Sequence, residues 1–213
     1  MATVGVSVLD GARSTQMALA SWTPTPTPLS QQEVDLVGPA CREDLAEFDE
    51  VSIDLDQARL QLAERRGDVV ALLYWTPDPD MSGTCMVRNV PGSDDVDVIS
   101  AGIAGGSGPA RMAPAHGYTQ GMVSQEKISG AGIISLTDGA AGADVLGITI
   151  HAGEYTVEAS VREGRYVAWW PGPALRGEPP ASSGRDDSTL LLTYDLTLTD
   201  GTVIRDVIAT LPT

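Results

Sequence analysis

An acidic run with the rhythm of a calcium loop, two histidines, a serine among glycines and two adjacent tryptophans are the residues here that could do chemistry. Asp78-Pro79-Asp80-Met81-Ser82-Gly83 follows the front half of a calcium loop. Asp78, Asp80 and Ser82 offer oxygens at alternate positions, and the glycine would let the chain turn sharply around a hard cation. The twelfth position is Asn89 where a bidentate glutamate belongs, and strand-like sequence flanks the run in place of helices. A polar hairpin tip explains the same letters, so no metal is assigned. His116 and His151 could act as bases, and Ser107 lies in Gly105-Gly106-Ser107-Gly108-Pro109. Pro109 replaces the second glycine of a nucleophile elbow, and with 29 carboxylates an acidic pair carries no signal. The chain has no HExxH and no phosphate-binding glycine loop, so no catalytic residue and no cofactor are assigned.

Trp169-Trp170-Pro171-Gly172-Pro173 is the candidate ligand site. Neighbouring strand residues face opposite ways, so Val167 and Trp169 share one face and Tyr166, Ala168 and Trp170 the other. Trp169 is expected in the core. Trp170 is expected to be partly exposed beside a loop rich in Pro and Gly, where an indole could stack on a sugar or an extended peptide. Trp170, Trp169 and Tyr166 are therefore the candidate ligand-binding residues. Arg66-Gly67-Asp68 spells the cell-adhesion tripeptide, and ordinary turn chemistry accounts for it. Cys41 and Cys85 are the only cysteines and lack metal-ligand spacing. They read as a disulfide, with two buried free thiols in a cytosolic protein as the alternative.

The elements that must position these residues are mostly strands. Val157 to Arg162 alternates, turns at Glu163-Gly164 and returns as Tyr166 to Trp170. Leu190, Leu192, Tyr194, Leu196 and Leu198 share one parity before Asp200-Gly201 reverses the chain into Thr202-Val203-Ile204. Asp68 to Trp75 is apolar on both parities, as in a central strand buried on both faces. Ala58 to Glu64, Thr84 to Asn89, Val96 to Ile103, Gly121 to Ser129, Gly132 to Thr137 and Val145 to His151 supply further strands, with Arg65-Arg66-Gly67 as a turn. Residues 104–118 and 171–187 read as long loops. Ser30 and Glu33 form a capping box for a helix over about 30–47. Val34, Val37, Cys41, Leu45 and Phe48 are expected on its packed face, with a break or kink at Gly38-Pro39. Before it, Thr23-Pro24-Thr25-Pro26-Thr27-Pro28 reads as an extended strap or spacer that Trp22 could pin to the body. The expected architecture is mainly β: an antiparallel β-sandwich or rolled sheet of about ten strands with a short N-terminal helical segment. Residues 1–29 are the N-terminal segment and spacer, and 30–213 a single domain.

The chain has 213 residues, 42% of them apolar, and a net charge of −16. That balance excludes nucleic acid and anionic membrane surfaces as partners, since both need basic patches. No apolar run reaches the length of a membrane span, and Thr3 to Leu9 lacks the basic flank of a signal peptide.

Ala63-Glu64-Arg65-Arg66-Gly67-Asp68, Gly164-Arg165-Tyr166-Val167-Ala168-Trp169-Trp170-Pro171-Gly172 and Thr193-Tyr194-Asp195-Leu196-Thr197-Leu198-Thr199-Asp200-Gly201-Thr202, with Ala20-Ser21-Trp22-Thr23 and Cys41-Arg42, carry a resemblance. The chain resembles the extracytoplasmic domains of uncharacterised actinobacterial proteins with a single N-terminal membrane anchor. The resemblance implies a place outside the cytoplasm, an anchor N-terminal to residue 1 and the Cys41–Cys85 bridge. The expected function is non-catalytic: a membrane-tethered or secreted domain that binds a cell-surface glycan, peptide or protein. A small extracytoplasmic hydrolase and a structural or calcium-stabilised surface module are the alternatives.

Overall fold

Alternating apolar residues bury one face of a strand, whereas apolar residues on both parities require a neighbour on each side. Two strands meet the second condition and organise the molecule. The computed structural model describes residues 19–48, 52–110, 112–128, 132–176 and 189–208. In chain order its elements are β1 (Thr27–Pro28), α1 (Gln31–Ala46), β2 (Arg59–Arg66), β3 (Val69–Pro77), β4 (Asp80–Arg88), β5 (Asp97–Gly105), β6 (Tyr118–Ile128) and β7 (Gly132–Ala141). There follow β8 (Val145–Ala152), β9 (Tyr155–Glu158), β10 (Ser160–Arg162), β11 (Arg165–Trp170), β12 (Leu175–Arg176), β13 (Thr189–Leu190), β14 (Leu192–Leu198) and β15 (Val203–Ile208). The protein is mainly β, as its periodicity predicts. The strands beyond the expected ten include pieces of two or three residues, such as β1, β12 and β13.

Every strand pair is antiparallel. The first sheet has the order β1-β2-β3-β4-β5, the second β10-β11-β7-β6 and the third β15-β14-β8-β9, while β12 and β13 form a separate ladder. Three apolar clusters separate four layers. Val37, Cys41 and Leu45 of α1 pack on Val70, Leu72 and Val87. The opposite face of the first sheet, through Val69, Ala71 and Leu73, packs on Leu136, Val167 and Trp169 of the second. Ala168 and Trp170 then meet Ile148, Ile150 and Leu196 of the third. The stack is helix, sheet, sheet, sheet, one layer deeper than a two-sheet sandwich. β3 is buried on both faces from Val69 to Thr76, as expected, and so is all of β11.

Local chemistry explains how the layers connect. The stretch expected as one strand from Val157 to Arg162 divides at Ala159: β9 pairs with β8 in the third sheet and β10 with β11 in the second. The β10–β11 turn places both Glu163 (φ 49°) and Gly164 (φ 76°) in the left-handed region, as a two-residue hairpin requires. After β14 the reversal is wider than two residues. Leu198 N–H donates to the Thr202 carbonyl at 2.8 Å, and Gly201 takes φ 86°. The Asp200 carboxylate accepts from Thr202 N–H at 2.8 Å.

Helix α1 has the predicted capping box, with Ser30 Oγ accepting from Glu33 N–H and the Glu33 carboxylate accepting from Ser30 N–H. It runs through Pro39 as one element. Phe48, expected on the packed face, lies beyond the C-cap Glu47 and is exposed. The disulfide between Cys41 and Cys85 joins α1 to β4, with both half-cystines buried. The Thr-Pro stretch is a fixed strap. Trp22 Nε1 donates to the Trp169 carbonyl at 3.2 Å, the Pro24 carbonyl accepts from Glu158 N–H at 3.0 Å, and Thr27 and Pro28 pair with Arg65 and Glu64. Among the described residues no helix is long and apolar enough to cross a membrane.

Candidate functional site

The residues singled out by sequence for ligand binding are interior. Trp169, Trp170 and Tyr166 are each 0% exposed. The two indoles do face opposite ways, Trp169 toward the first sheet and Trp170 toward the third. The expected partial exposure of Trp170 fails because its loop closes tightly. Trp170 Nε1 donates to the Pro173 carbonyl at 3.3 Å, and Ser135 Oγ donates to the Gly172 carbonyl at 2.7 Å. Gln125 Oε1 accepts from the N–H groups of Ala174 and Leu175 at 2.9 and 3.0 Å. Glycine permits the fit, since a Cβ on Gly172 would lie 2.3 Å from the Tyr155 ring. Residues 177–188 of the same loop lie outside the described residues.

The other sequence candidates are dispersed. Asp78 sits at the β3–β4 turn, Asp80 accepts from Trp75 Nε1 at 2.8 Å, and Ser82 is buried within β4. Among the described residues no three His, Cys, Asp or Glu side chains are grouped to hold a metal ion. Ser107 is exposed on its loop. His116 pairs with Asp144 at 2.9 Å and His151 with Asp195 at 3.3 Å. Of the described residues, no Ser or Thr hydroxyl is hydrogen-bonded to either imidazole. Asp195 also accepts from Asp206 N–H and Arg205, which hold its carboxyl below the usual carboxylate range and fix the irregular register of β14 and β15. The Arg-Gly-Asp sequence is not a displayed motif. The turn is Gly67-Asp68, and Arg66, expected in the turn, closes β2 fully buried.

Arg66 belongs to a charged staple that sequence reasoning missed. Its Nε donates to Glu64 Oε1 at 2.7 Å, Nη1 to the Pro24 carbonyl at 2.6 Å and Nη2 to the Glu158 carbonyl at 2.6 Å. Ser160 Oγ donates to Glu64 Oε2. One ion pair thereby ties the strap, β2, β9 and β10 together. A second buried cluster lies between the first two sheets. Asp138 Oδ1 accepts from Met122 N–H at 2.7 Å, while its Oδ2 stands 3.7 Å from Arg165 Nη2. Burial pushes the Asp138 carboxyl up from its ordinary value, against the pull of Arg165. Arg165 stacks over Trp75 at 5.0 Å, as does Arg59. Both clusters are enclosed by protein and do structural work.

The open concavity lies elsewhere, between α1 and the outer edge of β2. β1 covers that edge only at Glu64 and Arg65. Among the described residues no strand pairs with the outer side of Arg59 to Ala63. A groove of about 640 Å³ follows this uncovered stretch. Leu60, Ala63 and Tyr74 form its floor, Val34, Pro39 and Arg42 its helical wall, and Arg162 of β10 its far rim. Gly38 faces Tyr74, whose Oη stands 3.4 Å from where a Cβ would be, an ordinary contact distance. Pro39 has no N–H, so the Asp35 carbonyl one turn earlier lacks its helical donor. Arg42 is held by its Nη1 bond to the Leu55 carbonyl at 2.8 Å and by the Tyr74 ring at 5.9 Å. Burial raises the Tyr74 phenol above its ordinary value, partly offset by that guanidinium. An unpaired strand edge offers N–H and C=O groups to another extended chain; along this one a bulge interrupts the alternation between Leu60 and Leu62, where Gln61 Nε2 donates to the Arg162 carbonyl at 3.1 Å.

No known protein family matches the chain, and neither curated proteins nor solved structures give a significant match.

Proposed function

We propose that this chain is a non-catalytic extracytoplasmic binding domain that takes an extended segment of a partner protein into the α1–β2 groove by strand addition. The uncovered edge at Arg59 to Ala63, beside a cavity of about 640 Å³, carries the reading. Backbone hydrogen bonds along such an edge supply affinity, and the flanking pockets supply specificity for alternate side chains. The buried Cys41–Cys85 disulfide is consistent with an oxidising compartment, which supports a place outside the cytoplasm. Interior Trp169, Trp170 and Tyr166 direct the reading away from a glycan stacked on aromatic rings and toward a peptide or protein ligand.

Amide hydrogen exchange on the full chain tests the reading. Outward-facing amides between Arg59 and Ala63 should exchange rapidly, while their counterparts in β3 stay protected. Slow exchange along this edge in the free protein would mean that it is already covered, and the groove could not accept a strand.

A further inference from the structure

We infer that the segment bound in the groove carries a carboxylate and that Arg42 receives it, an inference that rests on the strand-addition reading above. Three observations lead there.

Arg42 is a prepared donor. Its Nη1 is anchored on the Leu55 carbonyl at 2.8 Å and its plane lies by the Tyr74 ring, so it gives up little freedom on binding. Its other terminal nitrogen, Nη2, has among the described residues only Asp56 Oδ1 at 3.3 Å, and the Asp56 side chain is 98% exposed. An ion pair that solvated contributes little and exchanges readily. An incoming carboxylate can take the place of Asp56 on the same nitrogen, within a groove that excludes more water than the open surface does.

Charge supports the same occupant. The chain carries −16 overall, and the groove's lining holds Arg42 and Arg162 with the acid Asp35; Arg162 Nε is paired with Glu163 Oε1 at 3.6 Å, which leaves Arg42, whose partner Asp56 is almost fully exposed, as the cation open to an anion. Asp35 accepts from the neutral Gln31 Nε2 at 2.8 Å and keeps its charge, so the occupant's carboxylate belongs at Arg42 and away from Asp35. An anionic group that enters the groove therefore meets Arg42 as its one exchangeable cationic partner in the lining. A second copy of this chain fits less well. Pairing β2 with β2 about a two-fold axis would bring together two bodies each of −16.

The apolar floor defines the neighbouring positions. Leu60, Ala63 and Tyr74 suit an aliphatic side chain pointing into the sheet, with the carboxylate directed to Arg42 at the helical wall. The ligand class is therefore an extended peptide with alternating aliphatic residues and one acidic group.

Titration of the isotope-labelled full chain with peptide pools tests this. The peptides are acetylated and amidated heptamers with Val, Ile, Leu, Phe or Thr randomised around a fixed central residue: Glu in one pool, Gln in a second, Lys in a third. A fourth is the Gln pool with a free C-terminal carboxylate. The Glu pool should shift the Arg59–Ala63 amides and bind about tenfold more tightly than the Gln pool, with Lys weakest. Arg42→Gln should abolish the Glu advantage, and an unchanged spectrum of the free variant outside the groove shows that the fold is kept. Asp56→Asn should strengthen Glu binding severalfold. Equal binding of the Glu and Gln pools would overturn the carboxylate inference and leave strand addition standing. Shifts with the free-terminus pool alone would move the carboxylate from a side chain to the chain end. No shift at Arg59–Ala63 with any pool would overturn both readings.

Discussion

Removing the disulfide by Cys41→Ala together with Cys85→Ala should cost the protein about 4 kcal/mol. The bridge closes a loop with a sequence separation of 44. In the chain-entropy account the unfolded chain regains about 13 cal/mol/K when such a loop opens, or about 4 kcal/mol at 25 °C. For a domain of this size that corresponds to a fall in Tm of about 8–16 °C. The position adds a local consequence. Cys41 lies mid-helix and Cys85 on β4, so the bridge is the covalent tie that seats α1 on the first sheet. Without it, the helix is held by the packing of Val37 and Leu45 and by the Arg65–Glu33 ion pair. Urea unfolding of the oxidised parent and the double variant, followed by far-ultraviolet circular dichroism, measures the loss. Hydrogen exchange shows whether α1 opens before β7 and β11. Non-reduced mass spectrometry of the parent should find no free thiol. A loss below about 1 kcal/mol, with unchanged protection in α1, would show that the bridge neither restrains the unfolded chain nor seats the helix.

Trp169→Ala and Trp170→Ala should each destabilise by about 3–5 kcal/mol, because each indole fills a different inter-sheet core and neither is exposed; a loss under 1 kcal/mol for Trp170→Ala in urea unfolding would refute its burial. Arg66→Ala should cost about 3–5 kcal/mol, since it leaves the 0%-exposed Glu64 carboxylate without its ion-pair partner. Replacing both by Met should recover most of that loss, and a double variant as unstable as Arg66→Ala would count against the account. For Asp138 the folded-state pKa is raised, so the proton it retains stabilises the fold fully only below the unfolded value near pH 4. That contribution fades as pH rises through the folded pKa. Asp138→Asn, which cannot ionise, should gain stability relative to the parent from about pH 4 upward, and a stability difference that stays flat or falls with pH refutes the assignment.

Short-range chemistry in this chain was legible, and stacking was not. Period-2 alternation, the Glu163-Gly164 turn and the Ser30–Glu33 box are decided within a few residues, and each appears where the sequence places it. β3 announced its double burial because both parities are apolar. β7 did not: Ile134 and Leu136 alternate with Ser135 and Thr137, which reads as one wet face, and Asp138 puts a carboxylate on the apolar parity, yet Ser135 to Asp138 are all buried. Neighbours take up most of their polar atoms, Ser135 by the Gly172 carbonyl, Thr137 by Gln120 and Asp138 Oδ1 by Met122 N–H, while Asp138 Oδ2 has only the Arg165 guanidinium at 3.7 Å. Hydrogen bonds made across 16 to 37 residues leave no local trace in composition. The Glu64–Arg66 staple was hidden for the same reason, since charges at the end of a strand look like a turn until the strap and β9 supply carbonyl partners.

The error over Trp170 has the same origin and points to where function can reside. In a two-sheet sandwich each strand keeps a solvent face, so a large aromatic on the second parity reads as an exposed patch. In a stack of helix and three sheets the middle layers have no solvent face. β11 is covered by the first sheet on one side and the third on the other, and β3 by α1 and the second sheet. Recognition on the first two sheets must then come from strand edges rather than from sheet surfaces. The β2 edge combines an uncovered stretch with a concavity, because the strap that covers Glu64 and Arg65 turns away into α1 at Ser30. The Ser30–Glu33 cap fixes where that departure occurs, and Arg65 reinforces it by donating to both Glu33 and Asn89. The strap's length thus sets how much of β2 remains open. Extending β1 to cover Arg59–Ala63 would close the groove without altering any core residue.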